Sequence, residues 1–452
     1  MTPPPGEAEP AAPDPAGLFG RFDLSSRSSL VVAVSGGSDS TALLLLVREW
    51  RDRAAPHLRI LAATVDHGLR RESAAEAASV ATFCTGLGVE HLTLRWTGAK
   101  PATGLQAAAR EARLGLLAEA AARAGTDIVL VGHTADDQAE TVAMRAGRGP
   151  GIGLAGMAPA TLFDGRVWFV RPLLETGRQA LRAFLLASGT PWIDDPSNDN
   201  PAFERVRLRT AATRSGRTGV DRQAVHAAGR RRCDLAARAA ALLDAYAASP
   251  SPGLARLDPA FFAAQDREAA VHAFRALLAA IGGGEHLPDL DRAAALFDRT
   301  RPPLRATLSR TVVDARRAGI FLLRERRGLP DPAKAADGAI WDGRFRLRVA
   351  GSRNLRVAPA PSTTEAAAAA AAETPASLVR AALAAEPVLL DHETPGTPPA
   401  PSTSATTVVR LVPPWSRFLP SFDLPLAQAV ARILGAPPFP PPPFHGHKGA
   451  KA

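Results

Sequence analysis

Residues Ser35-Gly36-Gly37-Ser38-Asp39-Ser40 stand between a short apolar run and a helical pattern. Two adjacent glycines let the backbone turn tightly and present its N–H groups. The start of the following helix adds unsatisfied donors and the positive end of a dipole, and together these hold an anion. The hydroxyls of Ser35, Ser38 and Ser40 can donate to phosphate oxygens. Asp39 would repel a bare phosphate, so its place there suits a magnesium ion bridging to a nucleotide. A second pair, Asp66-His67, closes the next apolar run and lies beside this loop. Further on comes His133-Thr134-Ala135-Asp136-Asp137-Gln138-Ala139-Glu140, in which Asp137 and Glu140 fall three apart on one helix face. Two carboxylates so placed could receive a cationic group or a metal. Dipole complementation at a helix start accounts for Asp136 and Asp137 well, and for Glu140 and His133 less well.

These residues need rigid strand ends to hold them. The chain supplies a regular alternation. Strand patterns at Leu30–Val34, Arg59–Val65, His91–Leu94 and Ile128–Val131 alternate with helical patterns at Asp39–Trp50, Glu72–Thr85, Leu105–Ala124 and Ala135–Ala146. This predicts an α/β fold, a doubly wound parallel sheet with its ligands at the carboxyl ends of the strands. A further strand is expected at Val167–Val170, a helix at Arg178–Ser188 and a Pro/Asp/Asn-rich loop over 191–203. A helical pattern runs from about Val220 to Phe297, and residues 300–350 read as strands. Residues 357–377 are low in complexity and read as a linker or insertion. The expected division is a disordered tail over 1–20, a catalytic domain over 21–215, a helical domain over 216–330, a divergent C-terminal region over 331–435 and a disordered tail over 436–452.

With 452 residues, 46% of them hydrophobic and 22% charged, the chain can bury a sizeable core. Cys84 and Cys233 alone exclude a disulfide scaffold and any all-cysteine metal site. The sequence has no apolar run of membrane-spanning length and no leader, so a cytoplasmic protein without a membrane partner is expected. Its net charge is +10, which points to an anionic partner, with nucleic acid first. An arginine-rich composition would also give such a charge.

SGGSDS resembles the PP-loop of the ATP pyrophosphatases, which cleave ATP between the α- and β-phosphates. With it come VDHGLRRE, AAREAR, HTADDQAET, RAGRGPGIGLAGM, RPLLETGR and WIDDPSNDNPAFERVRLR, in order across roughly residues 30–210. Together they resemble the tRNA(Ile)-lysidine synthetases. The chain departs from that family's usual pattern at Leu114 and Val206.

The resemblance implies a carbon–nitrogen ligase using ATP and Mg²⁺. The wobble cytidine of a CAU anticodon in tRNA(Ile) is adenylated, pyrophosphate leaves, and the ε-amine of L-lysine displaces AMP at carbon 2. The lysidine so formed pairs with A, which makes the tRNA isoleucine-accepting. Ser35–Ser40, Asp66 and His67 would bind ATP, with Asp39 toward Mg²⁺. Asp137 and Glu140 would receive lysine, and Arg113 and His133 would stabilise the adenylated intermediate. Arg145 and Arg148 would lie toward the tRNA. Nine arginines against two acids over residues 201–232 give a local +7. Arg205, Arg207, Arg209, Arg230, Arg231 and Arg232 are therefore the expected phosphate contacts. The competing expectations are a tRNA thiolase, an amide or amidine synthetase of the same superfamily, and an inactive RNA-binding protein. The scarcity of cysteine, the absence of a glutaminase domain and the intact motifs weigh against them in turn. The oligomeric state and the base that deprotonates lysine are left open.

Overall fold

A computed structural model describes residues 12–70, 72–98, 100–147, 152–194, 221–349, 355–361, 374–391 and 406–444. The chain divides into two compact units, residues 1–230 with 441–452, and residues 231–440.

The first unit is built on strands β1 (Ser29–Ala33), β2 (Arg59–Asp66), β3 (Glu90–Arg95), β4 (Ile128–Leu130), β5 (Ala160–Phe163) and β6 (Val167–Val170). They lie in the order β5-β6-β4-β1-β2-β3. Every pairing is parallel except that of β5 with β6. Each residue of β1 is buried, as a central strand covered on both faces requires. The helices between the strands are α2 (Ser38–Ala54), α3 (Ser73–Gly86), α4 (Leu105–Ala124) and α5 (Ala135–Ala146), with α6 (Arg178–Ala187) after β6. Leu117, Ala120, Ala121 and Ala124 of α4 pack on Val31, Ala33, Leu61 and Val129 of three strands. Small alanines let that helix lie close to the sheet, while α2 buries Leu43, Leu44 and Leu46 completely.

The chain winds outward from β1 to β3, returns, and continues from β4 on the other side of β1. The winding reverses between β1 and β4, and doubly wound sheets place their ligands at such a switch point, at the carboxyl ends of the strands. Every strand and helix expected between residues 30 and 146 is present, with ends displaced by no more than a turn of helix.

Both expected disordered tails contain order. Pro15–Phe19 form a helix, α1, whose start is capped by Asp14 accepting from the N–H groups of Ala16 and Gly17. Phe19 is fully buried, 5.6 Å from the Trp50 ring. At the other end Phe444 meets Phe22 edge-on and the Asp23 N–H donates to Pro443 O at 2.9 Å. One capping aspartate and single phenylalanine anchors are diluted in Pro/Ala-rich composition, which is why composition misreads both segments.

In the second unit β7 (Ala247–Ser251), β8 (Leu254–Leu257), β9 (Leu304–Leu308), β10 (Thr311–Arg316) and β11 (Gly319–Arg324) form an antiparallel sheet, ordered β7-β8-β11-β10-β9. The helical pattern expected up to Phe297 is thus interrupted by the β7–β8 hairpin, which turns at Gly253. Helix Arg267–Gly282 packs on β10 and β11 and is buried throughout from Ala269 except at Arg275. Two three-stranded sheets follow. One joins Ala333–Lys334, Leu355–Pro359 and Pro387–Asp391, the other Ile340–Trp341, Phe345–Val349 and Thr406–Arg410. Residues 362–373 of the low-complexity stretch lie outside the described residues.

Candidate functional site

The loop after β1 is held open by its own backbone and by two close approaches. Gly36 has φ +86°, and a Cβ there would stand 2.8 Å from Ile193 Cδ1. Any other residue would be strained and would push Ile193 away, although the Ile193 N–H donates to Gly36 O at 2.9 Å. At the end of β4, a Cβ on Gly132 would lie 3.0 Å from Asp39 O, so glycine lets that strand end touch the first turn of α2. Gly37 is the N-cap of α2, and no side chain caps this helix start. Its donors are left for an external acceptor.

The three serines divide their work. Ser40 Oγ donates to Gly37 O and accepts from the Ser35 N–H, each at 3.1 Å. Ser40 Oγ also lies 3.1 Å from Ser35 Oγ, so the Ser40 hydroxyl is tied into the loop and helps to shape its turn. Ser38 Oγ donates to Asp39 Oδ1 at 3.1 Å. Ser35 is exposed.

Asp39 lies in the first turn of α2, with its side chain 18% exposed. Burial pushes its carboxyl above the ordinary aspartate value, and the Arg178 guanidinium pulls it back. On α5, Thr134 and Asp137 form a capping box. Asp137 Oδ2 accepts from the Thr134 N–H at 2.8 Å and from Thr134 Oγ1 at 2.9 Å. Asp137 Oδ1 is turned the other way, toward Arg178. Glu140, one turn along, is buried.

Arg178 is the site residue that motif reading missed. Its Nε donates to Asp39 Oδ2 at 2.9 Å and its Nη2 to Asp137 Oδ1 at 3.4 Å. Its backbone N–H donates to Asp136 Oδ2 at 2.7 Å. A signal was present in the sequence: a cation at the first position of a helix opposes the dipole unless carboxylates face it.

Asp66 and His67 are at the end of β2. Asp66 Oδ1 accepts from Ser73 Oγ at 2.7 Å and from the Gly68 N–H at 2.8 Å. The Ser73 bond, with the Gly68 N–H and Arg95, holds its carboxyl below the usual range although burial opposes them. Asp66 therefore ties down the turn that carries His67. The His67 ring meets Trp96 edge-on at 6.3 Å, and its buried Nδ1 has no hydrogen-bond partner. Burial and the nearby Arg113 push its pKa below the ordinary histidine value, so it is neutral near pH 7. Loss of solvent and the charge of Arg110 likewise lower Arg113, on α4. His133 is half-buried at the end of β4.

Arg145 folds back onto its own domain. Its Nη1 donates to Gly156 O at 2.6 Å and Gly153 O at 3.3 Å, bracing the turn after α5. Arg232, expected on an RNA face, grips Asp423 with both prongs at 2.7 and 2.6 Å. This pair, 13% and 10% exposed, is internal to the second unit. Arg230 and Arg231 are exposed. Arg148, Arg205, Arg207 and Arg209 lie outside the described residues.

The donor set fits a nucleotide phosphate. An uncapped helix start and glycine backbone offer donors to an anion, and Asp39 is the single carboxylate of the loop. That suits a cation held mainly by substrate phosphates. Among the described residues no cluster of three or more His, Cys, Asp or Glu forms a protein-only metal cage.

A family model described as a PP-loop domain matches residues 17–215, the span that carries the loop after β1 and the start of α5. Curated relatives extend the match along the chain. A tRNA(Ile)-lysidine synthase of Mesorhizobium japonicum is 51% identical over 95% of this chain and 97% of its own length. One from Rhizobium meliloti is 39% identical over 92% and 94%. One from Brucella ovis is 38% identical over 76% and 80%. The chain belongs to the tRNA(Ile)-lysidine synthase family.

Proposed function

We propose that the protein ligates lysine to carbon 2 of the wobble cytidine in the CAU anticodon of tRNA(Ile), consuming ATP and releasing AMP and pyrophosphate. The observation that carries this reading is the convergence at the β1/β4 switch point. A phosphate loop bearing Asp39 and an acidic helix start bearing Asp137 come together there, joined through Arg178.

The cytidine O2 attacks the α-phosphate, and the open donors of α2 stabilise the charge that develops on the leaving pyrophosphate. Magnesium, when bound at Asp39, supplies further neutralisation of the phosphates. Arg113, depressed by burial and by Arg110, is an electropositive group suited to the adenylated intermediate. His67 and Trp96 offer ring surfaces at the neighbouring strand end. Lysine enters as a cation, which explains why a basic protein keeps Asp137 and Glu140 on α5. Its ε-amine must lose a proton before it attacks carbon 2, and AMP leaves with the former cytidine oxygen. Exposed Arg230 and Arg231 are proposed to meet the tRNA backbone.

The thiolase alternative has no support in the cysteines. Burial pushes the Cys84 thiol up to about 11 and Cys233 up to about 12, so neither is a thiolate near neutral pH. The test is ATP–pyrophosphate exchange with Asp39→Ala. Exchange dependent on tRNA is expected to be abolished while tRNA binding, measured by filter retention, is kept. Undiminished exchange would remove Asp39 from the reaction.

A further inference from the structure

A single guanidinium lies between the two carboxylates assigned to different substrates. Arg178 Nε is 2.9 Å from Asp39 Oδ2, and Arg178 Nη2 is 3.4 Å from Asp137 Oδ1. The arginine side chain is 22% exposed and each carboxylate 18%, so solvent screens the three charges only in part. The arginine is also anchored, because it starts α6 and its backbone N–H donates to Asp136. Its guanidinium reaches both aspartates from this one anchored position.

We propose, resting on the assignment of Asp39 to the metal–nucleotide and Asp137 to lysine, that Arg178 is a positioning residue that makes the two sites compete. Without nucleotide, Arg178 holds Asp39 by its shorter bond and Asp137 by its longer one. The weaker partner, Asp137, is then the one an incoming ammonium can take. A cation arriving with nucleotide phosphates at Asp39 displaces the guanidinium from that carboxylate. Arg178 then turns wholly to Asp137 and occupies the oxygen that lysine needs. Lysine binding is therefore weakest while Mg²⁺ and triphosphate are in place, and recovers when pyrophosphate departs with the metal. Such an order protects the first half-reaction from a premature nucleophile. No bond is made or broken by Arg178, which acts through the two aspartates.

Coupling of this kind is reciprocal: each ligand weakens the other by the same factor. The test is calorimetric titration of the full chain with L-lysine, with and without Mg²⁺ and a non-hydrolysable ATP analogue. The native protein should bind lysine at least about five-fold more weakly with the analogue present, and the analogue correspondingly more weakly with lysine. Arg178→Ala should bring that ratio to about one. Arg178→Lys, which keeps the charge but not the two-pronged reach, should restore part of it. Melting curves of the variants separate this result from unfolding. An unchanged ratio in folded Arg178→Ala, or no coupling in the native protein, overturns the inference. A native protein that binds no lysine in either state fails earlier, at the assigned reaction itself.

Discussion

Asp137 and Glu140 stand one turn apart but take different parts in the fold. One oxygen of Asp137 caps α5 and the other meets Arg178, so only the second is available to a substrate. Glu140 is buried on the same helix. Asp137→Asn keeps an acceptor for Thr134 while removing the charge, and Glu140→Gln does the same one turn on. Each variant is expected to raise the lysine requirement about tenfold or more, as loss of a charge-assisted hydrogen bond of about 1.5–3 kcal/mol implies. Exchange of ATP with pyrophosphate should persist. Lost exchange with an unaltered lysine requirement would take these residues out of the lysine site. At this scale the stretches Ser35–Ser40, Asp66-His67 and His133–Asp137 were legible because each lies at or just after the end of a strand. Arg178 was not, since its meaning depends on two aspartates that are 139 and 41 residues away in sequence. The inward turn of the Ser40 hydroxyl is local, but it depends on the backbone path of the loop, which residue types alone do not give.

The elements of the first unit were legible because buried parallel strands read as unbroken apolar runs and their helices as long periodic ones. The β7–β8 hairpin was not, because AASPS and LARL are too short and too mixed to show a period of two. The basic stretch before it misled at one position. Helix Arg222–Tyr246 carries Arg230, Arg231 and Arg232, which look alike in sequence. Only Arg232 meets a buried partner, Asp423. Arg230→Ala with Arg231→Ala is expected to weaken tRNA binding and lower its dependence on salt, by about one unit of slope per lost phosphate contact. Arg232→Ala should instead destabilise the second unit by about 3–5 kcal/mol, because it leaves Asp423 uncompensated. Binding titrations over a salt series and urea unfolding distinguish the two outcomes. A salt slope unchanged by the first pair would return those arginines to an ordinary solvated surface.

Across the whole molecule, basic residues serve two ends. Arg178 joins Asp39 and Asp137, and others hold the second unit together. There Asp342 receives Arg310, Arg324 and Arg344, while Glu386 receives Arg344 and Arg410. The +10 charge is thus not a measure of RNA-binding surface. The second unit also contains a pH sensitivity. His272 is buried among Asp423, Glu268, Arg275 and Arg232, and burial lowers its pKa from 6.5 to about 4. The folded state keeps the ring neutral, whereas the unfolded chain takes up a proton near pH 6.5. Its contribution is therefore complete above pH 6.5 and is lost as pH falls toward 4, by about 3 kcal/mol in all. Urea unfolding of the native protein should show this slope and His272→Leu should lack it. An identical slope in both would place the acid sensitivity elsewhere. Among the described residues no helix is long and apolar enough to cross a membrane. The central claim concerns what is joined to what, and one measurement reaches it directly. The protein is incubated with ATP, Mg²⁺, labelled L-lysine and total bacterial tRNA, and the labelled RNA is then digested to nucleosides. The account predicts label in a single modified cytidine from an isoleucine tRNA with a CAU anticodon, and none when ATP is omitted. Label absent from tRNA, or found in the methionine tRNA that shares the anticodon, would contradict it.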